Sequence, residues 1–501
     1  MSELFLGIDI GTSSAKGALT TPDGEVVATA TRPHRLSIPR QGWAEHDPEV
    51  VWWDGVVALC RELVSGRDRV PAAVCVSGIG PCVLAADESF RPLRPAILYG
   101  IDTRAAGEIA DLTEELGARA ILERCGSALS TQAVGPKLLW LRRNEPEVWE
   151  RTRRLLMASS FSVARLTGEY VLDHHSASQC DPLYELDRGG WIDEWAEHIA
   201  PGLELPRLLW PGEQAGVVTA AAAAATGIPP GTPVMAGTID AWAESLAAGV
   251  RAPGDLMVMY GSTLFLIAVT AEPLRDESLW STAGLREGTY SLAAGLATSG
   301  TLLAWLHDLT GASFDELTAE ADRAGPGAGG LLALPYFSGE RTPILDPAAR
   351  GVLCGLTLAH GPGHLARALL EAIAFAVRHN LETFEGAGAG LDRLVAVGGG
   401  TQGRVALQAV SDVTGRPQQV CAAGVGACHG DAFLAAAGTG AAGWDDDWSV
   451  IDREVEPRRE HAELYEELYG RYRELYPATR DVMHALARVG GEALEQQPQE
   501  A

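Results

Sequence analysis

The chain has 501 residues, of which 47% are hydrophobic and 21% charged, and its formal net charge is -27. That length exceeds one ordinary core and predicts two domains of roughly 250 residues each. So acidic a chain lacks the basic surface that nucleic acid requires, and no window approaches the ~20 uninterrupted apolar residues of a membrane span.

From residue 5 the chain alternates apolar with small or polar positions around two turn signals, Gly11 and Pro22-Asp23-Gly24, which predicts three consecutive strands. A strand this early predicts no leader segment. Eight scattered cysteines without a CxxC pair predict a reduced, cytoplasmic setting and no structural zinc. Asp47-Pro48 opens a helix, with Asp47 as N-cap and Pro48 as the first helical residue. Strands are predicted near 73–79 and 82–86, and helices near 104–117, 135–144 and 146–153. The alanine run 220–226 reads as a short helix ended by Gly227, and 234–250 as strand, turn, helix. RAPGD at 251–255 reads as a linker that separates residues 1–250 from residues 251–488. Just beyond it, LMVMYGSTLFLIAVT repeats the opening theme of strand, small-residue turn and strand, which suggests two related domains facing one another across a cleft. A helix over 363–384, a strand over 393–397, a glycine turn at 398–400 and helices over 404–414 and 427–438 follow. A charged helix over 457–486 and a polar, frayed tail, 489–501, close the chain.

The chemistry-bearing residues start at the tip of the first hairpin, GIDIGTSSAKG. Gly11 permits a tight turn, Thr12, Ser13 and Ser14 add small donors, and Lys16 is one of only two lysines, with Lys137. Asp9, ending an apolar strand, is costly if unpaired, and magnesium bridging a polyphosphate would satisfy it. An Asx-type turn, in which Asp9 bonds nearby amides, is the alternative. The GxxxxGK[ST] pattern is absent, so this is a different phosphate turn. GTIDAWAE places Asp240 between a strand and a helix, either as helix N-cap or as a general base for a hydroxyl. YGST (260–263), SGTLLAWL (299–306) and VGGGTQ (397–402) supply further small, glycine-rich turns.

Together these segments resemble the FGGY family of carbohydrate kinases over nearly the whole chain, its xylulokinase-like branch above all. GIDIGTSSAKG, QGWAEHDPEVVWWD, PKLLWLRRN (136–144), LPYFSGERTP (334–343), GVLCGLTLAHGPGHLARALLE (351–371) and GGGTQGRVALQAVSDVTG (398–415) carry the resemblance, and both lysines fall inside these motifs. It implies an α/β fold of two actin-like (ribonuclease H-like) ATPase domains flanking a central cleft, and transfer of the γ-phosphate of ATP to a small sugar. By position, Asp9 would serve Mg2+, and Thr12, Ser13, Ser14 and Lys16 would line the phosphates. Gly261, Ser262, Thr263, Gly300, Gly399 and Gly400 would hold the nucleotide, with Gly403 near the adenine. Asp240 would be the base, and Asp102, supported by Arg104, would hold the sugar. A homodimer is a family-level expectation.

The chain departs from the family at several points. SGIGPC (77–82) puts Gly80 and Pro81 where relatives carry side chains that contact the sugar. Gly403 replaces a small polar residue, and CHGDA (428–432) replaces small neutral ones. Trp242 follows Asp240 closely and would either cap the sugar or pack in the core. Ketopentoses are the first expectation for the acceptor, then pentitols or other small polyols, and a sugar-sensing protein on the same fold is the non-catalytic alternative.

Overall fold

A computed structural model of the chain describes residues 3–66, 70–422, 424 and 426–495. The chain divides into two compact units. The first comprises Met1–Pro253, Val269–Leu292 and Gly424–Ser449, and the second comprises Gly254–Ala268, Ala293–Ala423 and Val450–Ala501. The chain thus first changes unit at the RAPGD segment, and two later segments return to the first unit. No helix among the described residues is long and apolar enough to cross a membrane.

The first unit is built on a six-stranded sheet. Its order is Gln214–Val217, Pro233–Met235, Ala73–Gly78, β1 (Phe5–Ile10), β2 (Ser14–Thr20) and β3 (Val26–Pro33). β1 is the centre of this arrangement. It pairs antiparallel with β2 and parallel with Ala73–Gly78, and all six of its residues are buried. A strand covered on both faces has to read as a continuous apolar run, which FLGIDI does except at Asp9. The helix Ala427–Thr439, which follows more than 400 residues later in sequence, lies against β1, the strand Ala73–Gly78 and the helix Asp240–Ala247. These neighbours bring Asp9, Asp240 and Asp431 into one region.

In the second unit, residues 264–268 of the strand Leu264–Thr270, then Asp255–Tyr260, Arg393–Val397, Gln418–Cys421 and Ile451–Val455 run side by side in that order. Asp255–Tyr260 pairs antiparallel with the next strand and parallel with Arg393–Val397. This is the pairing scheme of β1 with β2 and Ala73–Gly78, so the repeat of an opening hairpin is a repeat of topology too.

Local signals act largely as their chemistry dictates. Asp47 caps the amides of Glu49 and Val50 at 2.9 and 3.1 Å with Pro48 at the first position, although the opening turn, Pro48–Trp53, is a π-helix that becomes α-helical at Asp54. The predicted helix 146–153 is only Pro146–Trp149, because Arg153 donates to the Ala86 carbonyl and Arg154–Leu156 pairs with Leu84–Ala86. The charged terminal helix begins at Ala462, later than predicted, because Ile451–Val455 is the edge strand that precedes it. It continues to Glu495, through 489–495 of the predicted tail, while residues 496–501 lie outside the described residues.

Candidate active site

Asp9 sits one residue from the end of β1, opposite Lys16 on β2 and level with Ser77 on the parallel neighbour. Directly opposed residues of an antiparallel pair share a face, so Lys16 reaches the same side as Asp9. Asp9 is 7% exposed, and its Oδ1 has no hydrogen-bond partner among the described residues. The Asx-turn alternative therefore fails: the turn is closed by the Gly11 amide donating to the Ser14 carbonyl, 3.0 Å, without the carboxylate. Burial raises the Asp9 carboxyl well above its usual range, Asp240 and Glu244 push it further, and Lys16 opposes them.

Asp240 is the first residue of the helix Asp240–Ala247, not its cap, a place taken by Ile239. Its Oδ1 accepts from the Ala241 amide at 2.8 Å. Burial raises its carboxyl too, while that amide and Lys16 lower it. Glu244 follows one turn on, raised by burial and by Asp240. Asp9, Lys16, Asp240 and Glu244 are thus one electrostatic group within the first unit. An orphaned, buried carboxylate oxygen beside further acids fits a divalent cation: a hard cation takes oxygen ligands and removes the cost of the bare charge.

Around this group the phosphate-turn residues are accessible. Ser13 and Lys16 are exposed, and Thr12 and Ser14 partly so. Thr12 Oγ1 lies 3.4 Å from the Tyr99 hydroxyl, and its carbonyl faces His46 Nε2 at 3.2 Å. Trp52 Nε1 donates to His46 Nδ1 at 3.2 Å, so the proton of this imidazole is on Nε2 and points at Thr12. Gly80 packs against Ile239, the residue before Asp240. A Cβ there would lie 2.7 Å from Ile239 Cγ1, so a side chain at 80 would displace the residue before Asp240. Pro81 is buried beside it.

Other expected contacts are arranged differently. Asp102 is 1% exposed, and both of its oxygens are engaged: Oδ1 by the Arg104 amide and Nε at 3.1 and 2.9 Å, Oδ2 by Arg104 Nη2 and the Ala44 amide, each at 2.7 Å. Arg104 in turn pairs with Glu45 at 2.9 Å and lies over Trp43. Asp102 and Arg104 form a closed ion pair, and any sugar contact by Asp102 would have to displace one of these bonds. Trp242 does not cap the site; it is 4% exposed, donates from Nε1 to Ser291 Oγ at 3.2 Å and lies 4.0 Å from the His175 ring. Asp431, of the departing CHGDA segment, is fully buried and accepts from Ser77 Oγ at 2.6 Å. Burial and the nearby Asp9 hold it well above the usual carboxylate range. The sequence signal for it was its departure from small neutral residues, which does not reveal the partner.

The second unit contains a cavity of about 590 Å³ lined by Gly261, Gly300, Gly399, Gly400 and Gly403 among others. Gly400 is glycine for want of room: a Cβ would come 2.8 Å from Tyr260 Cβ. Gly300 opens the helix Gly300–Thr310, its amide donating to the Gly261 carbonyl at 3.0 Å, so SGTLLAWL is a helix start and not only a turn. Ser262 and Thr263 are exposed on the adjoining hairpin turn, and the Ser262 carbonyl accepts from the Ser299 amide at 3.0 Å. The amides at this helix start are taken by those carbonyls, and what the segment offers a ligand is the room that its glycines leave beside an open cavity.

Residues 4–247 match the N-terminal domain of the FGGY family of carbohydrate kinases, and residues 256–439 its C-terminal domain. The xylulose kinase of Klebsiella pneumoniae is 31% identical over 82% of this chain and 85% of its own. The structure of a xylulose kinase from Rhodospirillum rubrum superposes with a TM-score of 0.90 at 35% identity, over 96% of this chain and 100% of that one. A gluconokinase of Bacillus licheniformis is 27% identical over 97% of this chain and 96% of its own.

Proposed function

The chain belongs to the FGGY family of carbohydrate kinases and is an ATP-dependent sugar kinase, and from that premise we propose that its acceptor is the ketopentose xylulose and its general base Asp240. The observation that carries the mechanism is the grouping of Asp240 with Asp9 and Lys16 in one unit. An acceptor hydroxyl attacks the γ-phosphorus in line, an O–P bond forms, and the bond to ADP breaks. The hydroxyl proton passes to the Asp240 carboxylate as the oxygen becomes acidic. Lys16, the hydroxyls of Thr12, Ser13 and Ser14 and the amides of their turn offset charge on the transferring group. Asp9 would hold Mg2+, which when bound would neutralise charge on the phosphate oxygens. The glycines at 261, 300, 399, 400 and 403, with Ser262 and Thr263, receive the nucleotide. A cytoplasmic setting accords with eight scattered cysteines that form no CxxC pair.

Xylulose rests on relatives of that name at 31% and 35% identity. Gluconate is the second reading, since a gluconokinase matches at 27% over the full length. ADP release is measured with xylulose, ribulose, xylitol, glycerol and gluconate at equal concentration. Xylulose is expected to give the highest kcat/KM. A higher value for any other acceptor overturns the substrate assignment while leaving the kinase intact. Asp240→Asn is expected to abolish turnover and keep ATP binding; near-normal turnover would remove Asp240 from its role.

A further inference from the structure

Asp240 is held oddly for a group whose position decides a rate. Among the described residues its carboxylate receives a single hydrogen bond, from the next amide, and no side chain orients it. Its placement therefore depends on the backbone on either side. On both sides that backbone is gripped by the same short segment, Asp173-His174-His175.

Upstream, Thr238 is completely buried and donates from Oγ1 to Asp173 Oδ1 at 3.0 Å. Its own carbonyl accepts from the Gly78 amide at 3.1 Å, at the end of the strand Ala73–Gly78. Asp173 is fixed in turn, because the same Oδ1 accepts from the Ser176 amide at 3.0 Å and caps the helix His174–Ser178. Downstream, the Trp242 ring lies 4.0 Å from His175 at an angle of 40°, with its Nε1 donating to Ser291. His175 is completely buried, and its bonds fix its tautomer. Nδ1 faces the Ala283 carbonyl at 2.8 Å and must donate, so Nε2 accepts from the Gln179 amide group at 2.9 Å. The imidazole is neutral, consistent with burial lowering its pKa to about 4. All of these groups lie within the first unit.

We propose that Asp173 and His175 are positioning residues for the phosphotransfer, together holding Asp240 at the acceptor hydroxyl, Asp173 through Thr238 and His175 through Trp242. The proposal rests on the reading of Asp240 as the base. A base has to sit within hydrogen-bond reach of the proton it takes, and a displacement of about 1 Å costs on the order of 100-fold in rate. Two fixings, two residues before and two residues after Asp240, constrain both the position of the first helical turn and its rotation. The arrangement also accounts for Trp242: the ring is buried as the grip on the helix rather than presented to a sugar.

Steady-state kinetics and thermal unfolding of Thr238→Val, Thr238→Ser and His175→Leu, alongside Asp240→Asn, test it. Thr238→Val removes the donor at nearly constant volume and leaves Asp173 capping its helix. It is expected to lower kcat about 10-fold or more, with KM for ATP and for xylulose within about twofold of the parent. Thr238→Ser, which keeps the donor, is expected to restore most of kcat. His175→Leu is expected to lower kcat in the same manner and serves if Thr238→Val fails to fold. A purely structural role would lower the melting temperature and leave kcat per folded molecule unchanged. Wild-type kcat in folded Thr238→Val or His175→Leu, with Asp240→Asn inactive, overturns the clamp and leaves the base in place. An active Asp240→Asn overturns the reading on which the clamp rests.

Discussion

Asp9 is where burial and charge conflict most openly, with one oxygen unpartnered and two further acids raising its pKa. An unpaired buried carboxylate destabilises the apoprotein, so Asp9→Asn is expected to raise stability by about 1–3 kcal/mol in EDTA while lowering turnover at least 100-fold. Chemical denaturation and ADP release check the two halves, and an apoprotein destabilised by the change would show that the charge is compensated. Glu340 is a second buried acid, and its Oε2 likewise has no hydrogen-bond partner among the described residues. Its Oε1 accepts from the amides of Ala297 and Arg341 at 2.9 and 2.7 Å, yet burial lifts its pKa to about 7. Between about pH 4.5 and 7 the folded state keeps a proton that the unfolded chain has released. Glu340 therefore favours folding most at low pH, and that contribution is lost as pH rises through about 7, by about 3 kcal/mol in all. Subtracting the stability of Glu340→Gln from that of the parent across this range isolates the effect, and a flat difference would refute it.

At the scale of elements, two crowded glycines stand one in each unit, Gly80 in the first and Gly400 in the second. A methyl at Gly80 pushes on Ile239 at the start of the Asp240 helix, and one at Gly400 pushes on Tyr260 at the cavity wall. Gly80→Ala is expected to reduce kcat about 10-fold with KM for ATP unchanged, whereas Gly400→Ala is expected to raise KM for ATP with KM for xylulose unchanged. Equal effects of both changes on both substrates would dissolve the distinction. The hairpins that carry Asp9 and the Gly261 turn were legible because strands covered on both faces leave continuous apolar runs with small turn residues between them. The helix Gly300–Thr310 was read only as a turn because Ser-Gly-Thr at its start looks like loop chemistry until its amides find the Gly261 and Ser262 carbonyls. Asp431 stood out in sequence, but its partner Ser77 is 354 residues away, and no local pattern encodes such a pairing. Asp173 and His175 went unnoticed for the same reason: their work is done on residues 65 or more positions downstream.

The whole molecule consists of two actin-like domains, and each opens with a hairpin flanked by a parallel strand. It carries a net charge of -27, and one of its two substrates is a polyanion. Approach of ATP is opposed by the summed field of the surface, so binding needs local donors, which the proposed site supplies as Lys16 and the turn amides. Long-range repulsion is screened over a Debye length of about 10 Å at 0.1 M salt, whereas contacts inside a cavity are screened far less. Raising ionic strength from about 10 to 150 mM at fixed free Mg2+ is therefore expected to lower KM for ATP about twofold or more. KM for xylulose, a neutral molecule, is expected to stay constant over the same range, which controls for general effects of salt on the enzyme. A KM for ATP that rises with salt would mean that the cations around the phosphate turn and the cavity, and not the acidic surface, govern the encounter.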